Sequence, residues 1–517
     1  MENTKSLINY TAEKNYDSEF CGSIPLHLVN LIQPHGLLLV IDSKQLHIRQ
    51  VSENASNQLL TAPEDLLDQP LSQFIPEAQF RDLQEKLGNQ QNQEKIPFTL
   101  TFHTPQQERL FIALIHPEPD YVLIELEEGK EQSGNSFISI FQQIKYITSL
   151  LKQSPTTAGI AQVAAEELKR FTGFDRVLVY QFDQQWNGTV VGQAKEEDMS
   201  DFMGLRFPAS DVPRQARELY LKNPYRLIPT RDYTPARLLP VINPITQRFT
   251  DLSDCNLRSV AGVHLEYLAN MWIMASMSLP IIVENRLRGL ISCHHKSPKN
   301  PDYETRTAME LLSTIISGQV AAKEKETAIL KRAELSNVHA QLLEQVYKSS
   351  SFIDGLLQGK TNLMKLLSLT GVAVAYEGEL QVQGKVPDMR KLKELTSWLR
   401  RNNSERIFVT NSLPHLYPNS KDYKDLASGL IAIPINTEQG EYILGFREEV
   451  LQTVNWGGNP DQAIQIEPDG KHYHPRNSFA IYQQTVRLSS LPWQEEEVVA
   501  AEALRSAVLE KIIREKY

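Results

Sequence analysis

The chain has 517 residues, 41% of them hydrophobic and 22% charged, which is enough for about three domains with buried cores. Its net charge of −10 argues against a partner with a phosphate backbone or an anionic membrane surface. It contains no apolar run of membrane-spanning length and no secretory signal pattern, and three cysteines, Cys21, Cys255 and Cys293, are not a disulfide framework. We therefore expect a cytoplasmic protein that binds neither nucleic acid nor membrane.

The first domain is expected at residues 22–127, after an N-terminal arm at 1–21. Alternating or continuous apolar stretches predict five strands near residues 37–41, 46–51, 98–102, 110–115 and 121–126. Pro63 and Pro70 divide the intervening segment into short helices. A mixed five-stranded sheet with helices on one side is the α+β pattern of a PAS domain.

A second domain is expected at residues 136–320. Apolar residues at spacings of three and four predict helices at 137–151 and from Thr157 to Gly173. Strands are predicted at 176–182 and 189–191 across the turn Asn187-Gly188, and later at 271–279 and 287–293. Between them, a helix at 214–221 is followed by residues 223–256, which are rich in proline and lack periodicity. An insertion of that length usually serves a function.

The loop at residues 208–213 is the most informative stretch of this domain. Pro208 and Pro213 bracket Asp211 and stiffen the backbone on both sides of it. A rigid aspartate downstream of Phe202 and Phe207 suits the presentation of one acceptor to a flat, apolar, cationic ligand. Taken alone, the loop is more typical of a proline-stiffened surface turn with a solvated aspartate.

A third domain, expected at residues 321–517, repeats a pattern of the second. Pro434 and Phe446 are twelve residues apart, as are Pro280 and Ser292, in similar apolar surroundings, which predicts a shared fold. One long helical pattern covers residues 301–358, and a charged helix is predicted at 493–517. Residues 447–489 form an excursion too long for an ordinary hairpin.

Five features in this order resemble the photosensory module of phytochromes. They are Ile32-Gln33-Pro34-His35-Gly36, the 208–213 loop, Arg258-Ser259 with His264, Cys293-His294-His295, and the segment from Pro475 to Phe479. The resemblance covers nearly the whole chain and implies consecutive PAS, GAF and PHY domains of α+β fold, joined by long helices. It also implies a bound linear tetrapyrrole (bilin) with red/far-red photochromism, and a figure-of-eight knot in which the segment around Ile32 threads the 223–256 insertion.

One departure from the family pattern points to a subtype. Many phytochromes attach the bilin to a cysteine immediately before the histidine that corresponds to His264, but this chain has Val263 there. The resemblance to bacteriophytochromes implies instead a thioether from Cys21, eleven residues before Ile32, to biliverdin. Cys255 remains a modest alternative, whereas Cys293 lies on a strand expected to be buried, where cysteine behaves as a small hydrophobe.

The resemblance also assigns roles around the bilin. Arg226 and Arg258, assisted by Tyr220, hold one propionate, since guanidinium groups bind carboxylates bidentately. Ser276, Ser278 and His264 are placed for the other propionate. His294 hydrogen-bonds the D-ring carbonyl in the resting state, and the D ring turns in an apolar cage of Tyr180, Phe202 and Phe207. The backbone carbonyl of Asp211 accepts from the pyrrole nitrogens. Adjacent strand residues point to opposite faces, so a metal site at Cys293-His294-His295 is a poor alternative.

The excursion is expected to carry the signal. The resemblance pairs Arg476 with Asp211 in the resting state, makes Ser478 the alternative donor, and places Trp456 in the same tongue. Refolding of the tongue then acts through the long helices on a histidine kinase output absent from these residues, which signals to a response regulator. The long helices are expected to form a homodimer, although packing within one chain explains them equally well.

Two other function classes stay open from the residues. GAF domains also bind small molecules such as cyclic nucleotides, but Asp211 and His264 have no role in such a site. No Walker loop, kinase motif or catalytic carboxylate pair occurs, so no enzyme activity beyond autocatalytic bilin attachment is expected in this chain. A phytochrome that holds phycocyanobilin without a covalent bond is the remaining alternative.

Overall fold

The computed structural model describes residues 9–10, 25–88, 95–129, 137–402, 406–462, 464–466 and 473–516. They belong to two compact units. The larger unit contains the described residues of Asn15–Lys323 and Asn455–Tyr482. The smaller unit contains those of Met1–Lys14, Glu324–Val454 and Gln483–Tyr517.

The first sheet of the larger unit contains all five strands predicted for the first domain and two short additional ones. In spatial order it runs Leu31–Ile32, Ala236–Leu239, Ile48–Ser52, Leu37–Asp42, Tyr121–Glu128, Glu108–Pro117 and Ile96–His103. The predicted short helices are Ala55–Gln58, Pro63–Leu66 and the 3-10 turn Leu71–Gln73, followed by the helix Glu77–Gly88. One face of the sheet packs on these helices around Leu39, Ile48 and Leu100.

The segment before Leu37 contacts the 223–256 insertion from several sides. Leu31–Ile32 pairs antiparallel with Ala236–Leu239, and Ile32 also bridges Arg258. The backbone N–H of Gln33 donates to the carbonyl of Leu257 at 2.7 Å, and the side-chain amide of Gln33 donates to the carbonyl of Leu227 at 2.9 Å. The threading of a knot stays a prediction.

The second sheet of the larger unit contains the strands predicted for the second domain. Its order is Arg226–Ile228, Ala275–Val283, Arg286–His295, Arg176–Phe182, Gly188–Lys195, Arg206–Phe207, Gln452–Gly457 and Ile481–Val486. Its helices are Phe137–Gln153, Thr157–Thr172, Arg214–Lys222, Gly262–Asn270 and the beginning of Tyr303–Lys348. Thr156 caps the second helix by accepting from Gly159 N, and Gly173 ends it at φ +65°, where glycine carries no Cβ penalty.

Two boundaries in this domain differ from the prediction. The strand expected from Met271 begins at Ala275, because the helix Gly262–Asn270 and its terminal turn occupy the preceding residues. The long helix expected to continue to residue 358 ends at Lys348, and a separate helix, Phe352–Leu357, follows. The hydroxyl of Ser351 accepts from Ile353 N and caps the new helix, so the chain reorients at this point.

The part of the excursion that lies in the larger unit is built of strands. Ile464–Ile466 pairs antiparallel with Tyr473–Pro475, and Gly458 N donates to the carbonyl of Ala480 at 3.0 Å. Arg206 pairs with Trp456 in parallel, which attaches the excursion to the edge of the second sheet. Gln452–Gly457 and Ile481–Val486 therefore extend the second sheet, whereas Ile464–Ile466 and Tyr473–Pro475 form a separate two-stranded sheet.

The smaller unit has a six-stranded sheet. Its order is Asn9–Tyr10, Phe408–Thr410, Gly429–Asn436, Glu441–Arg447, Gly371–Tyr376 and Glu379–Gly384. Its helices are Phe352–Leu357, Leu363–Leu366, Met389–Asn402, Leu413–Leu416, Lys424–Ala427 and Glu495–Lys516, with a 3-10 turn at Pro418–Tyr423. The hairpin Gly429–Asn436 and Glu441–Arg447 corresponds to the hairpin Ala275–Val283 and Arg286–His295, which accounts for the twelve-residue repeat. Among the described residues, no helix combines the length and the hydropathy that crossing a membrane requires.

Candidate functional site

The second domain encloses a cavity of about 180 Å³ that adjoins another of about 70 Å³. Both are lined by Asp211, Tyr220, His264 and Tyr267, so they form one continuous site. Most of the site residues predicted from the sequence line one or both of them: Asp211, Tyr220, Arg226, Arg258, His264, Tyr180, Phe207, Ser276, Ser278 and His294.

The 208–213 loop holds Asp211 in a short 3-10 turn, Ala209–Asp211, rather than in a flexible surface loop. Asp211 N donates to the carbonyl of Pro208 at 3.0 Å, and Ala209 N donates to the side-chain oxygen of Asn187 at 3.1 Å. The guanidinium of Arg217 donates to the carbonyl of Val212 at 2.8 Å. The proline-stiffened backbone is therefore tied down from both neighbouring elements.

Asp211 and Arg476 form a buried ion pair within the larger unit. The two side chains are 8% and 3% exposed, and the hydroxyl of Tyr267 donates to the same carboxylate at 2.9 Å. Burial lowers the pKa of Arg476 to about 10. Its Nε and Nη1 atoms have no partner among the described residues, so the guanidinium retains unused donor capacity inside the site.

Arg226 and Arg258 lie side by side at the cavity without a carboxylate. Arg226 donates to the carbonyls of Asn256, at 3.0 Å, and of Arg258, while Arg258 donates to the carbonyl of Leu252 at 3.2 Å. Burial, together with the charge of Arg226, lowers the pKa of Arg258 to about 9. Neither arginine has an ion-pair partner in the described part of the chain, so an anionic group that reached them would relieve the repulsion.

His264 lies on the helix Gly262–Asn270, which sequence periodicity did not predict. Its ring stacks on that of Tyr267, with 5.9 Å between centroids and 9° between planes. Burial, and next the charge of Arg226, lowers the pKa of His264 to about 4. The imidazole is therefore neutral near pH 7 and has an acceptor nitrogen to offer.

His294 is held by a buried arginine that sequence reasoning missed. Arg176 Nη2 lies 3.0 Å from His294 Nδ1, and Ser292 Oγ lies 3.0 Å from Nε2. Because arginine can only donate, Nδ1 must be the acceptor and the proton resides on Nε2, which is the nitrogen available to a hydrogen-bond acceptor. A signal was present, since Arg176 is the one charged residue at the start of an otherwise apolar strand.

Aromatic rings surround one end of the site. Phe207 makes edge-to-face contacts with Tyr180 and Phe202, each at 5.6 Å between centroids. Phe202 lines neither cavity but packs against Phe207, and the guanidinium of Arg176 lies 4.4 Å from the centroid of the Phe202 ring. Phe479, which was not predicted for this role, contacts Tyr267 at 5.0 Å.

The remaining donors and thiols are placed as follows. Ser276 and Ser278 lie in one strand at the smaller cavity, and burial raises the pKa of Tyr220, which hydrogen-bonds to Ser278. Cys21 lies outside the described residues. Cys255 and Cys293 are both fully buried, so neither thiol is exposed to solvent. Burial raises the pKa of both thiols, that of Cys293 to about 12.

The two other residues predicted to signal differ in environment. Trp456 is buried, with the guanidinium of Arg206 at 5.2 Å from its ring. Ser478 is exposed, and its hydroxyl accepts from Ala480 N at 3.3 Å. In this contact Ser478 only accepts, so its O–H remains available to donate to another partner.

Family models match three consecutive parts of the chain. The PAS fold matches residues 21–128, the GAF domain matches 157–323, and the phytochrome region matches 335–516. Together with the cavity in the second domain, they define a photosensory protein built from three sensory domains.

Individual proteins narrow this class. The chain is 39% identical to cyanobacterial phytochrome B of Nostoc sp. over 95% of its length and 66% of the relative's, and 30% identical to a bacteriophytochrome of Xanthomonas campestris pv. campestris over 98% and 80%. A solved bacteriophytochrome from R. palustris matches at a TM-score of 0.85 and 34% identity, covering 96% of this chain and 99% of that one. The chain belongs to the phytochrome family of photoreceptors. It spans about two thirds of the length of its cyanobacterial relatives.

Proposed function

We propose that this chain is the red/far-red photochromic photosensory part of a larger receptor and that it binds biliverdin. The observation that carries the proposal is the pair Arg226 and Arg258, which faces the cavity without a carboxylate among the described residues. Two adjacent buried cations are costly unless an anion reaches them. The propionates of a linear tetrapyrrole are such anions, and the neighbouring apolar cage fits its flat rings.

Different side chains around the cavity are proposed to bind different parts of the tetrapyrrole. Arg226 and Arg258, with Tyr220, bind one propionate, while Ser276 and Ser278, with His264, bind the other. The backbone carbonyl of Asp211 and the neutral ring of His264 accept hydrogen bonds from the pyrrole nitrogens. His294, with its proton on Nε2, donates to the D-ring carbonyl. When bound, the tetrapyrrole supplies the absorption of red light and the double bond that isomerises.

Attachment is proposed at Cys21. Val263 lies at the cavity in the position where other phytochromes carry the nucleophile, and a valine side chain has none. Cys255 and Cys293 are poor rivals, because buried thiols with raised pKa contain little thiolate at neutral pH.

Reconstitution with biliverdin tests these assignments. We expect a far-red absorption band that reverts between two forms under red and far-red light, and zinc-induced fluorescence of the denatured protein on a gel. Absence of any pigment uptake would favour a GAF-type sensor of another small molecule. Pigment that binds but leaves the denatured chain would retain the photoreceptor and refute covalent attachment.

A second candidate is a phytochrome that holds phycocyanobilin without a covalent bond. It is favoured by the 39% identity to a cyanobacterial relative together with Val263 at the usual attachment position. A reconstituted protein that takes up phycocyanobilin in preference to biliverdin, with a shorter-wavelength band and no zinc fluorescence, would support this candidate.

Signal transfer is proposed to use the excursion at residues 447–489 as the tongue. Its described strands are consistent with one of two forms, and we propose that the other is helical. The PAS, GAF and PHY domains are proposed at 22–127, 136–320 and 321–517. The helices Tyr303–Lys348 and Glu495–Lys516 are proposed to pair in a homodimer and to pass the change to a histidine kinase output and its response regulator. Infrared difference spectra in the amide I region test the refolding.

A further inference from the structure

A buried carboxylate of the first domain reaches the loop that carries Arg258. Glu125 lies in the strand Tyr121–Glu128, and its residue is 3% exposed. Its Oε1 accepts from His116 Nε2 at 2.6 Å and from Asn256 N at 3.0 Å. Its Oε2 accepts from Leu257 N at 2.6 Å and from the thiol of Cys255 at 3.2 Å. One carboxylate therefore binds three consecutive residues of the loop.

The same loop is bound from its other side by the cavity arginine. Asn256 gives its N–H to Glu125 and its carbonyl to Arg226, at 3.0 Å in both cases. Arg226 also donates to the carbonyl of Arg258, the residue that follows the two amides held by the carboxylate. The peptide groups at Asn256 and Leu257 thus connect Glu125 to both arginines of the carboxylate-binding pair.

The carboxylate is ionised in this position. Burial alone raises the pKa of Glu125, but the hydrogen bond and charge of His116, the Asn256 amide and Lys95 together lower it to about 2. A buried charge is seldom the best way to join two surfaces, because well-packed apolar residues do so without a desolvation cost. An apolar residue cannot accept two adjacent amide protons, however, and that is what fixes the orientation of this loop.

We propose that Glu125 is a positioning residue that sets the geometry of Arg226 and Arg258 for a carboxylate-bearing ligand. The inference rests on the proposed bilin function and deepens it, since it assigns part of the ligand specificity of the second domain to the first. Glu125 itself lines neither cavity of the site, so it acts only through the 255–258 loop.

The strand offers a matched control. Glu127, two residues further on, forms a bidentate ion pair with Arg306 at 2.7 and 2.9 Å. It therefore also joins the first domain to the second, but among the described residues it makes no hydrogen bond to the 255–258 loop. Glu125→Gln and Glu127→Gln remove the same charge from the same strand, and only the first removes the contact at issue.

The test measures dissociation constants for biliverdin and for its dimethyl ester, in the full chain carrying Cys21→Ala so that binding is reversible. We expect Glu125→Gln to weaken biliverdin binding by about tenfold, as one lost charged hydrogen bond does, and to change ester binding by less than about twofold. Glu127→Gln is expected to leave the acid-to-ester ratio unchanged. Equal weakening of acid and ester by Glu125→Gln, or the same change of ratio in Glu127→Gln, would overturn the inference.

Two further variants keep the test decisive. Glu125→Asp keeps the charge but withdraws it by one methylene, so a smaller change of the same ratio is expected even if Glu125→Gln does not fold. Glu125→Gln added to Arg258→Gln should have a smaller effect than Glu125→Gln alone, since residues that act through one another are not additive and only Arg226 is then left to position. An unchanged ratio in soluble Glu125→Asp refutes the positioning role. If the Cys21→Ala parent binds neither compound, it is the proposed bilin function that fails.

Discussion

Replacing Arg476 by alanine removes one partner of the buried ion pair at the 208–213 loop. Among the described residues, the Asp211 carboxylate then keeps only the hydrogen bond from Tyr267, at 2.9 Å, inside a site where its side chain is 8% exposed. The substitution also removes the guanidinium from the rings of Phe207 and Phe479, which lie at 5.4 and 5.0 Å. The excursion therefore loses its ion pair with the 208–213 loop, while the arginines of the proposed propionate site stay intact.

The size of the effect follows from burial. Leaving one charge of a buried pair uncompensated costs roughly 3–5 kcal/mol. At about 1.4 kcal/mol per tenfold change, this corresponds to roughly two to nearly four powers of ten in the population of the form in which residues 473–482 are bound. The exposed pair Arg214–Glu218, at 74% and 60% exposure, is worth at most about 0.5 kcal/mol, so Arg214→Ala is the matched control.

The assay combines amide hydrogen exchange with spectroscopy of the biliverdin-loaded protein. We expect Arg476→Ala to speed exchange in residues 473–482, to retain pigment and the first photochemical step, and to impair formation or lifetime of the far-red-absorbing product. Asp211→Asn in the Arg476→Ala background should recover part of the loss, because no unpaired charge then remains. Wild-type exchange, photoconversion and amide I difference spectra in Arg476→Ala would refute the role of this pair.

Four other predictions concern the ligand and pH. Cys21→Ala should keep biliverdin bound yet lose it on denaturation, and zinc fluorescence that persists would point to Cys255 instead. Val263→Cys should attach phycocyanobilin covalently, which the same gel reports; no adduct would show that the local geometry does not permit it. His264→Ala should retain the pigment but lower the pKa of the protonated pigment, so that the far-red band is lost near neutral pH. An absorbance titration measures this change. Folding lowers the pKa of Glu125 from 4.5 to about 2, so the ionised carboxylate stabilises the folded state above pH 4.5. About 3 kcal/mol of the free energy of unfolding is then lost as the pH falls to 2. Denaturant titrations of Glu125→Gln should not show this loss.

Most strands could be predicted because their signal is local. The strand Arg176–Phe182 agrees with the prediction at both ends, and the hairpin partners in the second and third domains were located by their apolar runs. The helix Gly262–Asn270 was missed because it presents no clear apolar stripe, with Leu268 as its one fully buried side chain. Because this helix was not predicted, the prediction also omitted Tyr267, which stacks on His264 from the same helix.

The residues of the site likewise could not be grouped from local sequence signals. Asp211, Arg226, Arg258 and His264 were predicted from a resemblance to a family, and the structure brings them to one cavity. Spacing alone did not predict their proximity, because contacts such as Arg476 with Asp211 join residues 265 positions apart. No local rule of helix or strand formation carries information over that distance.

Glu125 marks the limit of what sequence reasoning can reach. It is the only charged residue between Tyr121 and Leu126, the part of the strand that is otherwise apolar and buried. A charge in such a place must be hydrogen-bonded, so its presence already predicts a partner. Two of its partners, the backbone amides of Asn256 and Leu257 about 130 residues later, have no side-chain signature at all. Since every residue except proline offers such an amide, the sequence predicts that Glu125 has partners but not which loop supplies them.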